Sequence, residues 1–422
     1  MISSSPKNIL LLIPQLTFGG AERVFYDHGR ELARAGHTVT ECVFDSRGRV
    51  DFPTHNRLVG LDVPAAGSSP LSKVSVWRKR VQRLRQLKRE LRIDVCISHL
   101  EGADYLNLLS KGTEQVIICV HNSKRHDPGF AGMSGWLRRR VLMPRFYRRA
   151  DCVVAVSRDL RQELIEYLGL PAGLVCTINN FVELEAVRVR AAAGLTAAEA
   201  ALFAHGPVLL VAGRLSREKN QPALLPVLAR MLRTSPVPVR LLLLGDGPLR
   251  LELVAAAMHQ GLRVWDGTAQ NGSPPPDPAL YDLILLGFRS NPFPYIAHAA
   301  ISVLPSITEG FPMAICEALV CGVPVASADC PTGPREILAP TTPAAQQAIV
   351  AEWAEFGLLL PLLGTEPTDE TVAIWAAALT ELLTNPDSYA HYIVQGQQRA
   401  ISFGPGPVMA QWERLLQGNY SI

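Results

Sequence analysis

Two series of short apolar runs, each run followed by a helical pattern, constrain the fold of this 422-residue chain more than any other feature. In the first half the runs cover residues 8–14, 38–44, 94–99, 115–121 and 152–157, and helical patterns cover 21–35, 76–91, 136–149 and 158–168. A strand covered on both faces reads as a continuous β-branched or Leu-rich run, and parallel neighbours need a crossover between them. The first half therefore predicts a parallel sheet with helices on both faces. A second series starts at residues 208–213 and continues with strands at 240–244, 283–287, 301–304 and 323–328, and helices at 221–232, 249–260 and 313–321. The fold class is α/β, with two Rossmann-like domains, as expected of a chain too long for one ordinary core. After the run at 175–178 the chain passes through Asn179-Asn180-Phe181 and an Ala-rich stretch to about His205, which reads as linker plus a helical segment. Residues 266–278 are rich in Gly and Pro and predict an exposed insertion without chemistry. Helical patterns at 371–383 and 386–401 close the second series.

The net charge of +3 conceals an asymmetry. Residues 1–180 hold 27 Lys plus Arg against 17 Asp plus Glu, whereas the remainder holds 14 against 21. The basic half is expected to face an anionic surface or substrate. Its charge gathers on two helical patterns. Trp77, Val81, Leu84, Leu87 and Leu91 form one apolar stripe amid eight basic residues from Arg78 to Arg92, and Arg138, Arg139, Arg140, Arg145, Arg148 and Arg149 form the second cluster. No aromatic-interleaved basic motif accompanies them, so anionic lipid headgroups explain them better than nucleic acid.

The eight cysteines are scattered through apolar runs with no CxxC pair and no zinc-ligand spacing, which predicts buried, reduced thiols and no metal. Residues 9–13 are too short for a signal-peptide core and are cut by Pro14, and no run reaches the ~18 apolar residues of a membrane span. The expectation is a cytoplasmic protein, with any membrane contact peripheral and at the inner face. Neither a GxGxxG dinucleotide fingerprint nor a triad of nucleophile, base and orienting acid emerges.

Chemistry concentrates in Ser306-Ile307-Thr308-Glu309-Gly310-Phe311-Pro312-Met313-Ala314-Ile315-Cys316-Glu317. A strand precedes it, Gly310 permits a tight turn, and Pro312 suits the first helical position. Glu309 and Glu317 then sit at two depths beside one helix N-terminus, whose free amides and dipole suit a diphosphate while the carboxylates accept from sugar hydroxyls. On spacing alone two glutamates eight apart are commonplace.

The embedding changes their meaning. Ser306…Glu309-Gly310-Phe311-Pro312…Glu317-Ala318-Leu319…Gly322-Val323-Pro324-Val325 resembles the E-x7-E signature of retaining GT-B glycosyltransferases of the GT4 family. Its sequel Ser327 to Leu338 resembles the version found in bacterial surface-polysaccharide enzymes. Three further stations extend the resemblance over nearly the whole chain: Phe18-Gly19-Gly20-Ala21-Glu22-Arg23 after the first strand, Val211 to Asn220, and Leu286-Gly287-Phe288-Arg289.

The resemblance implies two Rossmann-like domains facing across a cleft. An acceptor domain would span 1–180 plus a returning helix at about 403–422, and a nucleotide-sugar donor domain 181–402. It implies Gly19 and Gly20 against donor diphosphate and acceptor, Arg214 and Lys219 on the leaving diphosphate, Glu309 on the donor sugar and Glu317 on the ribose. Gly310, Phe311 and Pro312 would open the helix that receives the diphosphate, Phe288 would lie by the base, and His121, ending a first-domain strand, would face the sugar. His99 ends a similar strand. No cofactor is implied. The donor is a nucleoside-diphosphate sugar, with a UDP-sugar favoured although these side chains do not separate uracil from guanine. The implied reaction moves a hexose or N-acetylhexosamine, with retention, to a glycan or lipid-linked glycan acceptor in cell-surface polysaccharide biosynthesis. A GT-B sugar-nucleotide isomerase and a degenerate nucleotide-sugar-binding protein are the alternatives.

Overall fold

The computed structural model describes residues 5–17, 19–48, 54–64, 69–126, 132–270, 272–343 and 346–419, with only the backbone of Pro70 and Leu71. Phe18 of the glycine turn and Asn271 of the insertion lie outside the described residues. The chain divides into one unit of Met1–Phe181 with Pro405–Ile422 and a second of Val182–Gly404.

The first unit holds seven strands: β1 (Asn8–Leu12), β2 (Thr38–Val43), β3 (Arg57–Gly60), β4 (Val95–His99), β5 (Gln115–Val120), β6 (Cys152–Ala155) and β7 (Val175–Thr177). They form one sheet in the order β3-β2-β1-β4-β5-β6-β7, and every pairing is parallel. Successive side chains of a strand face opposite ways, so β1 feeds two cores. Ile9 and Leu11 pack with Val408 and Trp412 of the closing helix Pro405–Leu416, whereas Leu10 and Leu12 pack with Leu84 and Leu87 of the helix Pro70–Glu90. Both cores explain why β1 carries no polar alternation.

The second unit holds β8 (Val208–Ala212), β9 (Arg240–Leu244), β10 (Val264–Asp266), β11 (Leu283–Gly287), β12 (Ile301–Leu304), β13 (Val325–Ala328), β14 (Glu352–Trp353) and β15 (Leu358–Leu360). Their order is β10-β11-β9-β8-β12-β13-β15-β14, parallel except for the antiparallel β14–β15 pair. Its core gathers Leu209, Leu241 and Val303 from the sheet with Leu225, Leu228 and Trp375 from the helices.

Three expectations need correction. The helix read at 136–149 is broken into Gly132–Leu137, a π-helical turn Arg138–Leu142, and Met143–Tyr147. Pro144 has no N–H and its ring would strike the carbonyl four residues back, so the turn widens ahead of it and the Met143 N–H reaches back to the Arg138 carbonyl. The basic face of Pro70–Glu90 is also smaller than it reads. Lys88 is buried and bonds Glu114 at 2.8 Å and the Asn107 side chain at 2.8 Å. Finally, the insertion is only partly exposed: Ala269, Gln270, Ser273, Pro276 and Asp277 are exposed, but Gly267 and Pro275 are buried. The Gly272 N–H donates to the Gly267 carbonyl at 2.7 Å, and Trp265 Nε1–H of β10 donates to the Ser273 carbonyl at 3.0 Å.

Candidate functional site

In the second sheet β8 pairs with β9 on one side and β12 on the other, so the chain order reverses there. Loops leaving the carboxyl ends of strands at such a switch point diverge and leave a crevice. The loops after β8 and β12 carry the predicted cations and Glu309.

The loop after β8 is held by the next loop in the sheet. Gly213 N–H donates to the Leu244 carbonyl at 2.8 Å, and Leu215 N–H to the Asp246 carbonyl at 3.1 Å. A Cβ on Gly245 would lie 2.0 Å from the Gly213 carbonyl oxygen, so only glycine permits this approach. Gly245-Asp246-Gly247 received no role from the sequence, although two glycines directly after a strand were the available signal. Asn220, at φ +53°, follows the single turn Arg217–Lys219, and its side-chain amide donates to the Gly364 carbonyl at 2.7 Å. Ile307 N–H donates to the Glu218 carbonyl at 2.9 Å and so ties the two loops together.

This bracing brings Lys219 Nζ to 2.6 Å from Glu309 Oε1, and Ser306 Oγ donates to the same oxygen at 2.7 Å. The Glu309 side chain is 10% exposed and that of Lys219 31%. Glu309 Oε2 has no partner among the described residues and is not sealed from solvent. One carboxylate oxygen is therefore fixed while the other can accept from a ligand hydroxyl. Burial alone would lower the Lys219 pKa, but the adjoining Glu309 carboxylate outweighs it and the net shift is upward. Lys219 stays an ammonium, with two further donors beyond the one spent on Glu309. Arg214, at the start of the loop, is exposed, and its guanidinium has no ion pair among the described residues.

Pro312 caps the helix Met313–Val320 and does not open it: its ψ of 94° lies outside the helical range. The amides of Gly310, Phe311, Met313 and Ala314 have no acceptor among the described residues. These orphan donors and the helix dipole make a place for an anion in front of Glu309. Gly333, at φ +101°, supports the turn from behind, since a Cβ there would lie 2.4 Å from Pro312 Cδ. The neighbouring Thr332 hydroxyl donates to the Glu309 carbonyl. Glu317 lies one turn into the helix and is half-buried. The Phe311 ring is buried edge-on against Phe403 at 5.2 Å, which leaves only its backbone to a ligand. Phe288 follows Gly287, at φ +73°, and is exposed at the end of β11. Thr268 of the insertion lies beside that glycine, 3.3 Å from where its Cβ would be.

Gly19, Gly20 and His121 belong to the first unit, whose own switch point falls between β1 and β4. Gly19 caps the helix Gly20–Arg34, and both glycines are exposed. The Glu22 carboxylate folds over Gly19, where a Cβ would lie 2.2 Å from Oε2, and its burial raises the Glu22 pKa. The glycine motif by itself gives Glu22 no role, because only the fold brings its carboxylate back over Gly19. His121 directly follows β5 and is 8% exposed. Burial, aided by Lys124, lowers its pKa to about 3. It is neutral at pH 7 and offers hydrogen bonds, not charge. Its ring meets His99 from β4, and His28 from the first helix lies next to His99. His28 was invisible in the sequence because nothing in a helical pattern marks which residue turns beneath a distant strand end.

The family model described as Glycosyltransferase Family 4 matches residues 18–186, and that described as Glycosyl transferases group 1 matches residues 206–356. The chain belongs to the GT4-type glycosyltransferases. This GT4-type protein is 23% identical to an uncharacterized glycosyltransferase of Methanocaldococcus jannaschii, over 81% of its own length and 83% of the relative's. It is 24% identical to the N-acetylgalactosamine-N,N'-diacetylbacillosaminyl-diphospho-undecaprenol 4-alpha-N-acetylgalactosaminyltransferase of Campylobacter jejuni, over 60% of this chain and 62% of that enzyme. Among solved structures, Anabaena HepE in complex with UDP and glucose superposes with a TM-score of 0.71 at 18% identity, covering 98% of this chain and all of that one. The architecture is GT-B.

Proposed function

We propose that this GT4-type glycosyltransferase moves a hexose or N-acetylhexosamine from a nucleoside-diphosphate sugar, with a UDP-sugar the favoured donor, to a lipid-linked glycan in cell-surface polysaccharide biosynthesis, with retention. The observation that carries the reading is Glu309, with one oxygen held by Lys219 and Ser306 and the other without a partner among the described residues, in front of a helix with four amides that have no acceptor among those residues. Arg214, Lys219 and those amides stabilise the diphosphate as charge develops on it. Glu309 Oε2 accepts from donor-sugar hydroxyls, Glu317 holds the ribose, and His121 hydrogen-bonds the sugar. The departing phosphate oxygen takes the proton of the acceptor hydroxyl as the new glycosidic bond forms on the same face. The UDP in the HepE complex and the diphospho-undecaprenol in the Campylobacter relative's name support donor and acceptor class.

An anionic membrane surface is the proposed partner of the first unit. Trp136, Leu137 and Val141 are exposed beside Arg139, Arg140, Arg145 and Arg148, and these four arginines line a pocket of about 510 Å³ with Glu166 the one acid in its lining. Apolar and cationic side chains side by side suit an interface of headgroup and acyl chain. No helix among the described residues is long and apolar enough to cross a membrane.

Incubation with several nucleotide sugars and a membrane extract tests the reaction. Nucleoside diphosphate released only with acceptor supports transfer. Donor conversion without acceptor would indicate isomerisation, and binding without turnover a degenerate protein.

A further inference from the structure

Two histidines of the first unit share a hydrogen bond that decides what His121 can do. His99 ends β4 and His121 follows β5, and the parallel register sets His99 opposite Cys119, two residues before His121. His99 Nδ1 lies 2.8 Å from His121 Nε2, with the rings 5.0 Å apart and inclined by 20°. His99 is 1% exposed, and its Nε2 is sealed without a partner. Phe25 meets it edge-on at 5.4 Å, and His28 stands at 6.0 Å with its own Nε2 sealed. The ionisable groups acting on this chain are His28 from the first helix, His99, His121 and Lys124, with no carboxylate bonded to either His99 or His121 among the described residues. Burial pushes both rings' pKa down, so each carries a single proton at pH 7.

One of the two facing nitrogens must donate and the other accept. A proton on His99 Nε2 would be a buried N–H with no acceptor, which proteins avoid more strictly than a bare lone pair. The His99 proton therefore sits on Nδ1 and is donated to His121 Nε2. His121 must then hold its own proton on Nδ1, the nitrogen with no protein partner among the described residues and not sealed from solvent. A ring nitrogen's protonation follows from the bond that the other nitrogen makes.

We propose that His99 is a positioning residue that locks His121 in the Nδ1–H tautomer, so that His121 presents a hydrogen-bond donor, and not an acceptor, to an oxygen of the donor substrate. The identity of that oxygen rests on the glycosyltransferase reading above; the tautomer does not.

The test is long-range proton–nitrogen correlation on the full chain labelled with ¹⁵N-histidine at pH 7.5, with His121 assigned from a His121→Gln control. The expected spectrum shows His121 protonated on Nδ1 and bare on Nε2. Protonation on Nε2 would overturn the proposal whether or not the protein turns over sugar. His99→Asn, whose amide nitrogen occupies the place of Nδ1, should keep that tautomer and near-parental turnover. His99→Leu should mix the tautomers and lower kcat roughly five- to tenfold, the worth of about one hydrogen bond, with donor affinity little changed. Equal loss in the Asn and Leu variants would mean that His99 only fills space. A correct tautomer in an inactive protein would leave the proposal standing and sink the transferase reading instead.

Discussion

Lys219 and Glu309, ninety positions apart in the chain, meet at 2.6 Å because β8 and β12 are neighbours in the second sheet. The contact is more than a surface ion pair, because Ser306 binds the same carboxylate oxygen and leaves the other one open. It aims a carboxylate at a hydroxyl and an ammonium at an anion with one geometry. Preorganised groups of this kind need no rearrangement as charge develops.

Lys219→Ala should impair turnover about a hundredfold or more, since a lost transition-state charge partner costs on the order of 3 kcal/mol. The fold should survive, because the ammonium contributes nothing to the apolar core. Nucleoside diphosphate release, with circular dichroism as a folding control, measures it. A folded variant with near-parental turnover removes Lys219 from the site.

The two glutamates should fail differently. Contacts to the ribose change little between ground and transition state, so Glu317→Gln should chiefly raise the donor KM. Contacts to a sugar gaining oxocarbenium character strengthen, so Glu309→Gln should chiefly lower kcat. Steady-state kinetics on both decides, and the reverse pattern breaks the assignment.

Acid should destabilise the first unit through its buried histidines. Burial, then the neighbouring His121, lowers the His28 pKa from 6.5 to about 3. The unfolded chain therefore binds the proton first. The stability held by the neutral ring is complete above pH 6.5 and is lost as pH falls toward 3, at about 1.4 kcal/mol per unit for each such ring. Urea unfolding at pH 7.5 and 5.0 should show a smaller acid loss in His28→Leu than in the parent. An equal loss in both would show that His28 is protonated in the folded state.

Membrane attachment should need anionic lipid and weaken with salt. Arg139→Glu with Arg145→Glu should reduce vesicle sedimentation at least tenfold, given about 1 kcal/mol per basic side chain at such a surface. Parental binding to neutral vesicles, or no binding to anionic ones, defeats the proposal.

The two strand-helix series were legible because a strand buried on both faces must be largely apolar: β8 is so throughout, and β1 and β5 are so after their first residue. The motif around Glu309 was legible for a similar reason: a strand, a glycine turn and a helix start are local events. The π-helical turn at Arg138–Leu142 was not legible, because a proline marks where a helix is disturbed but not how the backbone accommodates it. Lys88 read as one cation among eight until its pairing with Glu114 withdrew it from the surface.

What the sequence determined by itself is the class of fold, the order of the elements and the residues at the strand ends, since hydrophobic periodicity and turn chemistry act over a few residues. Only the tertiary structure decided which ends become neighbours. Sheet order placed Lys219 against Glu309, turned Phe311 into the core and set His28, His99 and His121 in one row. Partners so far apart in the chain are chosen by strand pairing and burial, which no local pattern records.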